Sequence, residues 1–180
     1  CEDTVNFVNV TGEIDLVSAT NSFSDALDVD FSELKINEIK IISALNDCTD
    51  FSSGNYILGS LTLKNCGDKA LSVGEKSFIT LKKINATNAN LGIASKDSSV
   101  VKADEVNLDN LETCVAAYNK KPEYRGGFID IKKMSCKNYL KKADVDNNSK
   151  ILEKNIILTN DIYGNKYDPR KLKITEVNGK

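Results

Sequence analysis

Ala26, Cys48, Ala70, Gly92 and Cys114 are small residues spaced 22 positions apart, and Leu27, Thr49, Leu71, Ile93 and Val115 follow them at the same interval. A period of this length restricts the fold more than composition does, because each repeat must become one unit stacked on its neighbours. Around the small column the repeats read DALDV, DCTDF, DKALS, NLGIA and ETCVA. Between them runs a longer pattern, apolar-x-apolar-x-x-apolar-x-apolar. It is carried by Leu34, Ile36, Ile39 and Ile41, then by Tyr56, Leu58, Leu61 and Leu63. Ile79, Leu81, Ile84 and Ala86 repeat it, as do Val101, Ala103, Val106 and Leu108, and Ile129, Ile131, Met134 and Cys136. Ile151, Glu153, Ile156 and Leu158 give a weaker sixth copy. The step from 63 to 86 is one residue longer than the period, and that from 108 to 136 spans 28.

Alternation with period two sends successive side chains to opposite faces and predicts strands, with a bend at each two-residue gap. An amphipathic helix fails because Val, Ile, Thr and Asn dominate and polar residues interleave singly. Short strands with no room for helices between them predict a solenoid in which identical columns stack about 4.8 Å apart. The chain is therefore expected to be one all-β domain over residues 1–180. Residues 1–23 form a cap or imperfect first coil, 24–158 the regular coils, about six, and 159–180 a C-terminal cap or tail. The tail holds a candidate hairpin, DIY, GNKYDP and KLKITEV.

The phrases NCGDKALSVGEKSFITL, NLGIASKDSSVV and TCVAAYNKKPEYRGGFIDI resemble coils of the right-handed single-stranded parallel β-helix, the pectin-lyase-like superfamily, over roughly residues 25–158. The resemblance is nearest to bacterial β-helix modules, some of which accompany polysaccharide-processing or kinase-like domains. It implies a polysaccharide or cell-surface glycan as partner, other domains in a parent chain, and an extracellular or cell-surface setting. Lyases of this class use clustered aspartates that hold calcium plus a basic residue, and glycosidases use two or three aspartates. In the sequence no paired aspartates are read on neighbouring coils, so a non-catalytic module is expected; a purely structural, adhesive or assembly module and a lyase- or hydrolase-like enzyme are the alternatives.

The chain has no histidine, which excludes Ser-His-Asp catalysis and histidine-bound zinc. No metal or cofactor is assigned. A net charge of -2 with mixed signs gives no nucleic-acid footprint, and no apolar run reaches membrane-spanning length. The five cysteines lack CxxC spacing and are read as small buried apolar residues. Cys48 with Cys66, or Cys114 with Cys136, are the pairs able to bridge a single coil. Asn46, Asp68, Asn90 and Glu112 form a polar column read as a turn ladder. Asn9, Asn85 and Asn147 match a glycosylation acceptor pattern. A fragment of a larger protein or a processed product, with oligomerisation possible, is the expectation from the chain's start at Cys1.

The candidate ligand site is drawn from the turn after the short strand. Glu75 and Lys76 stand there in one coil, and Lys96 and Asp97 in the next. The following coil supplies Tyr118, Lys120, Lys121, Tyr124 and Arg125, where six extra residues fall in KKPEYRGG. Insertions in a solenoid map to loops on one face, and these types offer stacking and anion binding for an acidic sugar.

Overall fold

The computed structural model describes residues 3–160, and among these there is no helix. Eleven strands build one parallel solenoid: β1 (Val5–Val8), β2 (Thr11–Ser22), β3 (Leu27–Asp30), β4 (Glu33–Ala44), β5 (Thr49–Ser52), β6 (Asn55–Gly74), β7 (Phe78–Lys96), β8 (Val100–Tyr118), β9 (Phe128–Val145), β10 (Lys150–Glu153) and β11 (Ile156–Ile157). Register pairs Thr11 with Glu33, Glu33 with Asn55, Asn55 with Phe78, Phe78 with Val100, Val100 with Phe128, and Phe128 with Lys150. Those seven heads mark seven turns, one more than the pattern predicts. The difference lies at the start, where β1 and β2 pair with β3 and β4 as a full coil.

Each complete coil consists of three straight runs, illustrated by 55–58, 60–64 and 71–74. In each, alternate residues point inward. Ile36, Leu58 and Leu81 stack in the first run, Ile39, Leu61 and Ile84 in the second, and Leu27, Leu71, Ile93 and Val115 in the third; all are buried. Burying one such side chain stabilises the fold by about 1.5–3 kcal/mol. The apolar columns are therefore the main source of its stability. The Phe51 and Tyr56 rings pack in a tilted arrangement with centroids 4.8 Å apart, and the Tyr56 hydroxyl donates to the Ser52 carbonyl at 3.0 Å.

Corners are held by polar ladders. Asn21, Ser43, Asn65, Asn88, Asn110 and Asn138 all adopt positive φ between the second and third runs. Asparagine tolerates this left-handed conformation better than most residues. Asn88 Nδ2 donates to Asn65 Oδ1 at 2.8 Å, and Asn110 Nδ2 to Asn88 Oδ1 at 3.1 Å. A second ladder uses buried serines, with Ser99 Oγ accepting from Ser77 N–H at 3.1 Å and Ser32 Oγ from Val10 N–H at 2.9 Å. In the polar column read from the sequence, Asn46 Nδ2 donates to Asp25 Oδ1 and Asn90 Nδ2 to the Gly67 carbonyl, both at 2.8 Å.

The one-residue irregularity enters at the turn after Gly74, where Glu75 and Lys76 both have positive φ, and is taken back where the β6–β7 register shifts between Cys66 and Lys69. At the C-terminal end β11 runs antiparallel to β10, and the Asn160 side chain bonds both Val145 N–H and Val145 C=O. The expected hairpin after Asn160 lies outside the described residues, as does Cys1.

The reading of the cysteines as unpaired apolar residues is corrected. Cys48 is bonded to Cys66 and Cys114 to Cys136, with Cα–Cα distances of 5.2 and 6.3 Å. Columns of neighbouring coils meet inside a solenoid corner, which brings residues 18 or 22 positions apart within bonding range. Non-reducing peptide mapping is expected to recover both cross-linked pairs. Cys114→Ala with Cys136→Ala should lower the unfolding free energy by about 2–4 kcal/mol in a denaturant titration.

Candidate functional site

The six-residue excess forms a loop between β8 and β9 that is tied down from several sides. Asp97, buried in the turn below, accepts from Lys120 N–H at 2.7 Å and Lys121 N–H at 2.8 Å through one oxygen. Asn119 donates through its side chain to the carbonyls of Lys121 and Tyr124 at 2.9 and 3.0 Å, closing the loop on itself. Its own N–H donates to Asp146 Oδ2 at 2.6 Å. Burial opposes ionisation of Asp146, but hydrogen bonds from Ser149, Asn119 and Asn148 hold its carboxyl below the usual range. Ser98 N–H donates to the Arg125 carbonyl, and Arg125 N–H to Ser98 Oγ, each at 2.7 Å. The loop rejoins the coil at Gly127, where a Cβ would lie 1.9 Å from the Ser95 carbonyl oxygen, so only glycine fits.

The nine residues chosen from the sequence divide into three groups. Glu75, Lys76, Lys121 and Tyr124 come together: Lys121 Nζ pairs with Glu75 Oε1, and Lys76 Nζ stands 5.5 Å from the Tyr124 ring centroid. Glu75, Lys76 and Tyr124 border a cleft of about 330 Å³ that Ser53, Gly54 and Asn55 complete. Asp97, Lys120 and Arg125 are bound up in the loop's backbone as described, with the Lys120 and Arg125 side chains exposed. Lys96 and Tyr118 face elsewhere, on the outer side of the third run. The Lys96 side chain passes over Gly74, where a Cβ would meet its Cε at 2.9 Å, and its ammonium reaches Asp50 Oδ2 at 3.6 Å, two coils away. Tyr118 borders a separate cleft with Asp68, Asn90, Glu112 and Asp144.

That outer side carries a cluster the sequence reading missed. Asp28 pairs in register with Asp50, and Asp25, Asp30 and Asp47 surround them, so aspartates do recur on neighbouring coils. The signal was present in DALDVD and DCTD as aspartates 22 apart, hidden because the repeat was read by its small and apolar columns. Asp25 Oδ1 accepts from Asp47 N–H at 2.8 Å, and Asp47 Oδ1 from Lys69 N–H at 2.9 Å, which makes both part of a turn ladder. Desolvation, with repulsion from Asp30 and Asp50, pushes Asp28 up to about 7. Desolvation also pushes Asp47 up to about 6, against the pull of Lys69. Asp25 and Asp30 are raised for the same first cause. Carboxylate oxygens of Asp25, Asp47 and Asp50 lie within 4.8 Å of one another, a donor set chemically suited to a hard cation. One oxygen each of Asp25 and Asp47 is already engaged by backbone amides.

A further cleft, about 540 Å³, lies along the first run between Thr11 and Thr80, with Ile57 and Phe78 exposed in it. No helix among the described residues is long and apolar enough to cross a membrane. Comparisons with protein-family models, with curated proteins and with solved structures give no match.

The raised carboxyls make stability pH-dependent. Since the folded-state values lie above the ordinary 3.8, the folded chain binds more protons between about pH 4 and 7, so this group of aspartates destabilises it progressively over that range and the loss levels off above pH 7. Melting temperature is expected to rise as pH falls from about 8 to about 5. Asp28→Asn, which keeps an acceptor for Asn6 Nδ2, should raise the melting temperature at pH 8 and flatten that dependence.

Proposed function

We propose that the chain is a non-catalytic β-solenoid module of a larger bacterial, secreted or surface protein, binding an extended polysaccharide or cell-surface glycan at the edge formed by Tyr124, Lys76, Glu75 and Lys121. The observation that carries this reading is the setting of Tyr124. A half-buried aromatic ring, with an ammonium 5.5 Å from its centroid, stands beside a cleft edged by Ser53, Gly54 and Asn55, on a loop fixed by Asp97 and Asn119. Aromatic faces and fixed polar groups are what sugar rings engage, and a loop already ordered loses little entropy on binding. The paired charges of Glu75 and Lys121 give hydrogen-bonding groups of both kinds for hydroxyls or carboxylates. The first-run cleft fits a sugar less well because Ile57 and Phe78 dominate its exposed surface.

A second reading, hydrolysis or elimination on the aspartate face, is favoured by one observation. Asp28, pushed to about 7, stands in register with Asp50, a pairing able to divide acid and base roles.

A glycan array followed by titration separates the two. On the first reading the full chain binds an extended glycan without cleaving it, and Tyr124→Ala weakens binding by roughly tenfold or more with an unchanged melting temperature, a loss of about 1.4 kcal/mol or more. Binding untouched by Tyr124→Ala sinks that reading. New reducing ends or unsaturated products that vanish in Asp28→Asn establish the second.

A further inference from the structure

The corner after the third run carries one residue of each successive coil into the left-handed region. Asn9, Phe31, Ser53, Glu75 and Asp97 hold φ values between 49 and 57°. Backbone bonds fix them as one column: Asn9 N–H donates to the Asp30 carbonyl, Phe31 N–H to that of Ser52, and Ser53 N–H to that of Gly74. Four of the five are polar or charged, as a solvent-facing turn favours. Phe31 is the exception. A bulky side chain is disfavoured at its φ of 49°, and the residue is 62% exposed. An aromatic ring turned to water from a strained backbone adds little to the core, and residues held in this way cluster at ligand-binding positions.

The same corner holds the Tyr124 cleft. Ser53 and Glu75, which line that cleft, are the next two members of the Phe31 column, and Ser53 Oγ donates to Glu75 Oε2 at 3.4 Å. Gly54 brings the cleft directly against the coil of Phe31, since a Cβ there would lie 2.2 Å from the Ser32 carbonyl oxygen. At about 4.8 Å per coil, Phe31 and Glu75 stand roughly 10 Å apart along the axis, a distance that a few linked sugar rings cover. The two ends of this track differ in charge. Lys76 stands by the Tyr124 ring, and the Lys121 ammonium pairs with Glu75. Beside Phe31 the neighbouring group is Asp30, whose carboxyl is raised above the usual range by burial first and then by repulsion from Asp50 and Glu75. A cation seated there would relieve that repulsion, whereas the carboxylate of an acidic sugar would add to it.

We propose that Phe31 is a second stacking platform of the glycan site and seats an amino-sugar ring beside Asp30, while a ring further along the same glycan chain packs on Tyr124. This rests on the glycan reading of the Tyr124 cleft and narrows its ligand to a polysaccharide that carries amino groups. Two aromatic platforms on one rigid corner gain affinity from a ligand long enough to meet both.

Calorimetric titration of the full chain with glucosamine oligosaccharides tests it. A hexasaccharide is expected to bind more tightly than a disaccharide. Phe31→Asn removes the ring and supplies a residue suited to positive φ. It should raise the melting temperature yet weaken hexasaccharide binding by roughly tenfold, taking away the gain with length. A purely structural role for Phe31 would move the melting temperature alone. A galacturonate hexasaccharide should bind the wild-type chain at least roughly tenfold more weakly than the glucosamine one, and Asp30→Asn should narrow that gap. If Tyr124→Ala weakens binding and Phe31→Asn does not, the second platform is overturned while the glycan reading stands. If a glycan binds and neither change affects it, both fall. A glucosamine hexasaccharide that does not bind, or a galacturonate one that binds as tightly, overturns the amino-sugar assignment.

Discussion

Parallel pairing between equivalent columns of successive coils is the interaction on which the rest depends. Within the three runs of the inner coils, backbone donors and acceptors find their partners one coil away, as in the parallel registers of β6, β7 and β8. A strand in this protein is therefore satisfied by its repeat and not by its sequence neighbour. Most residues consequently sit above and below chemically similar ones, and side-chain choices that would be local in another fold become columns here. Inward columns supply burial. Corner columns must instead satisfy bends, and they do so with groups able to adopt positive φ and bond along the stack, as Asn65, Asn88 and Asn110 do.

Stacking also explains why like charges accumulate. Asp28 and Asp50 occupy one outward column because parallel register places residues 22 apart side by side, and the same rule brings Asp25 next to Asp47. Backbone amides and two lysines offset part of the repulsion. Lys69 reaches Asp47, and Lys96 crosses two coils to Asp50 through the slot that Gly74 leaves open. Burial first, and then the repulsion that remains, leaves carboxyls that hold their protons to higher pH. A face under this tension is costly in a purely passive spacer, which gives the aspartate cluster weight beside the Tyr124 edge.

The inserted loop illustrates the opposite principle. Its six extra residues interrupt no column, because the coil resumes at Gly127 in the register it left at Tyr118. Order inside the loop comes from side chains that replace the missing ladder bonds. Asp97 presents one carboxylate oxygen to two amides, and Asn119 gathers the carbonyls of the returning chain. A loop so constrained holds Tyr124 in a fixed position beside Lys76.

The sequence by itself determined the solenoid, its 22-residue period, its inward columns and the place of its main interruption. All of these follow from residue type at fixed spacing. It showed that Lys76 and Tyr124 belong to one neighbourhood, since insertion and turn share a column. The tertiary structure alone decided the matters that depend on direction and depth. Lys96 lies flat along the wall toward Asp50 instead of joining Tyr124, because Gly74 opens a slot that a one-dimensional pattern does not reveal. The two cysteine pairs that the sequence offered as able to bridge a coil are both bonded, because a corner folds different columns together; spacing by itself did not decide between bonded and free thiols. The seventh coil was obscured because its inward positions carry Gly12 and partly exposed side chains.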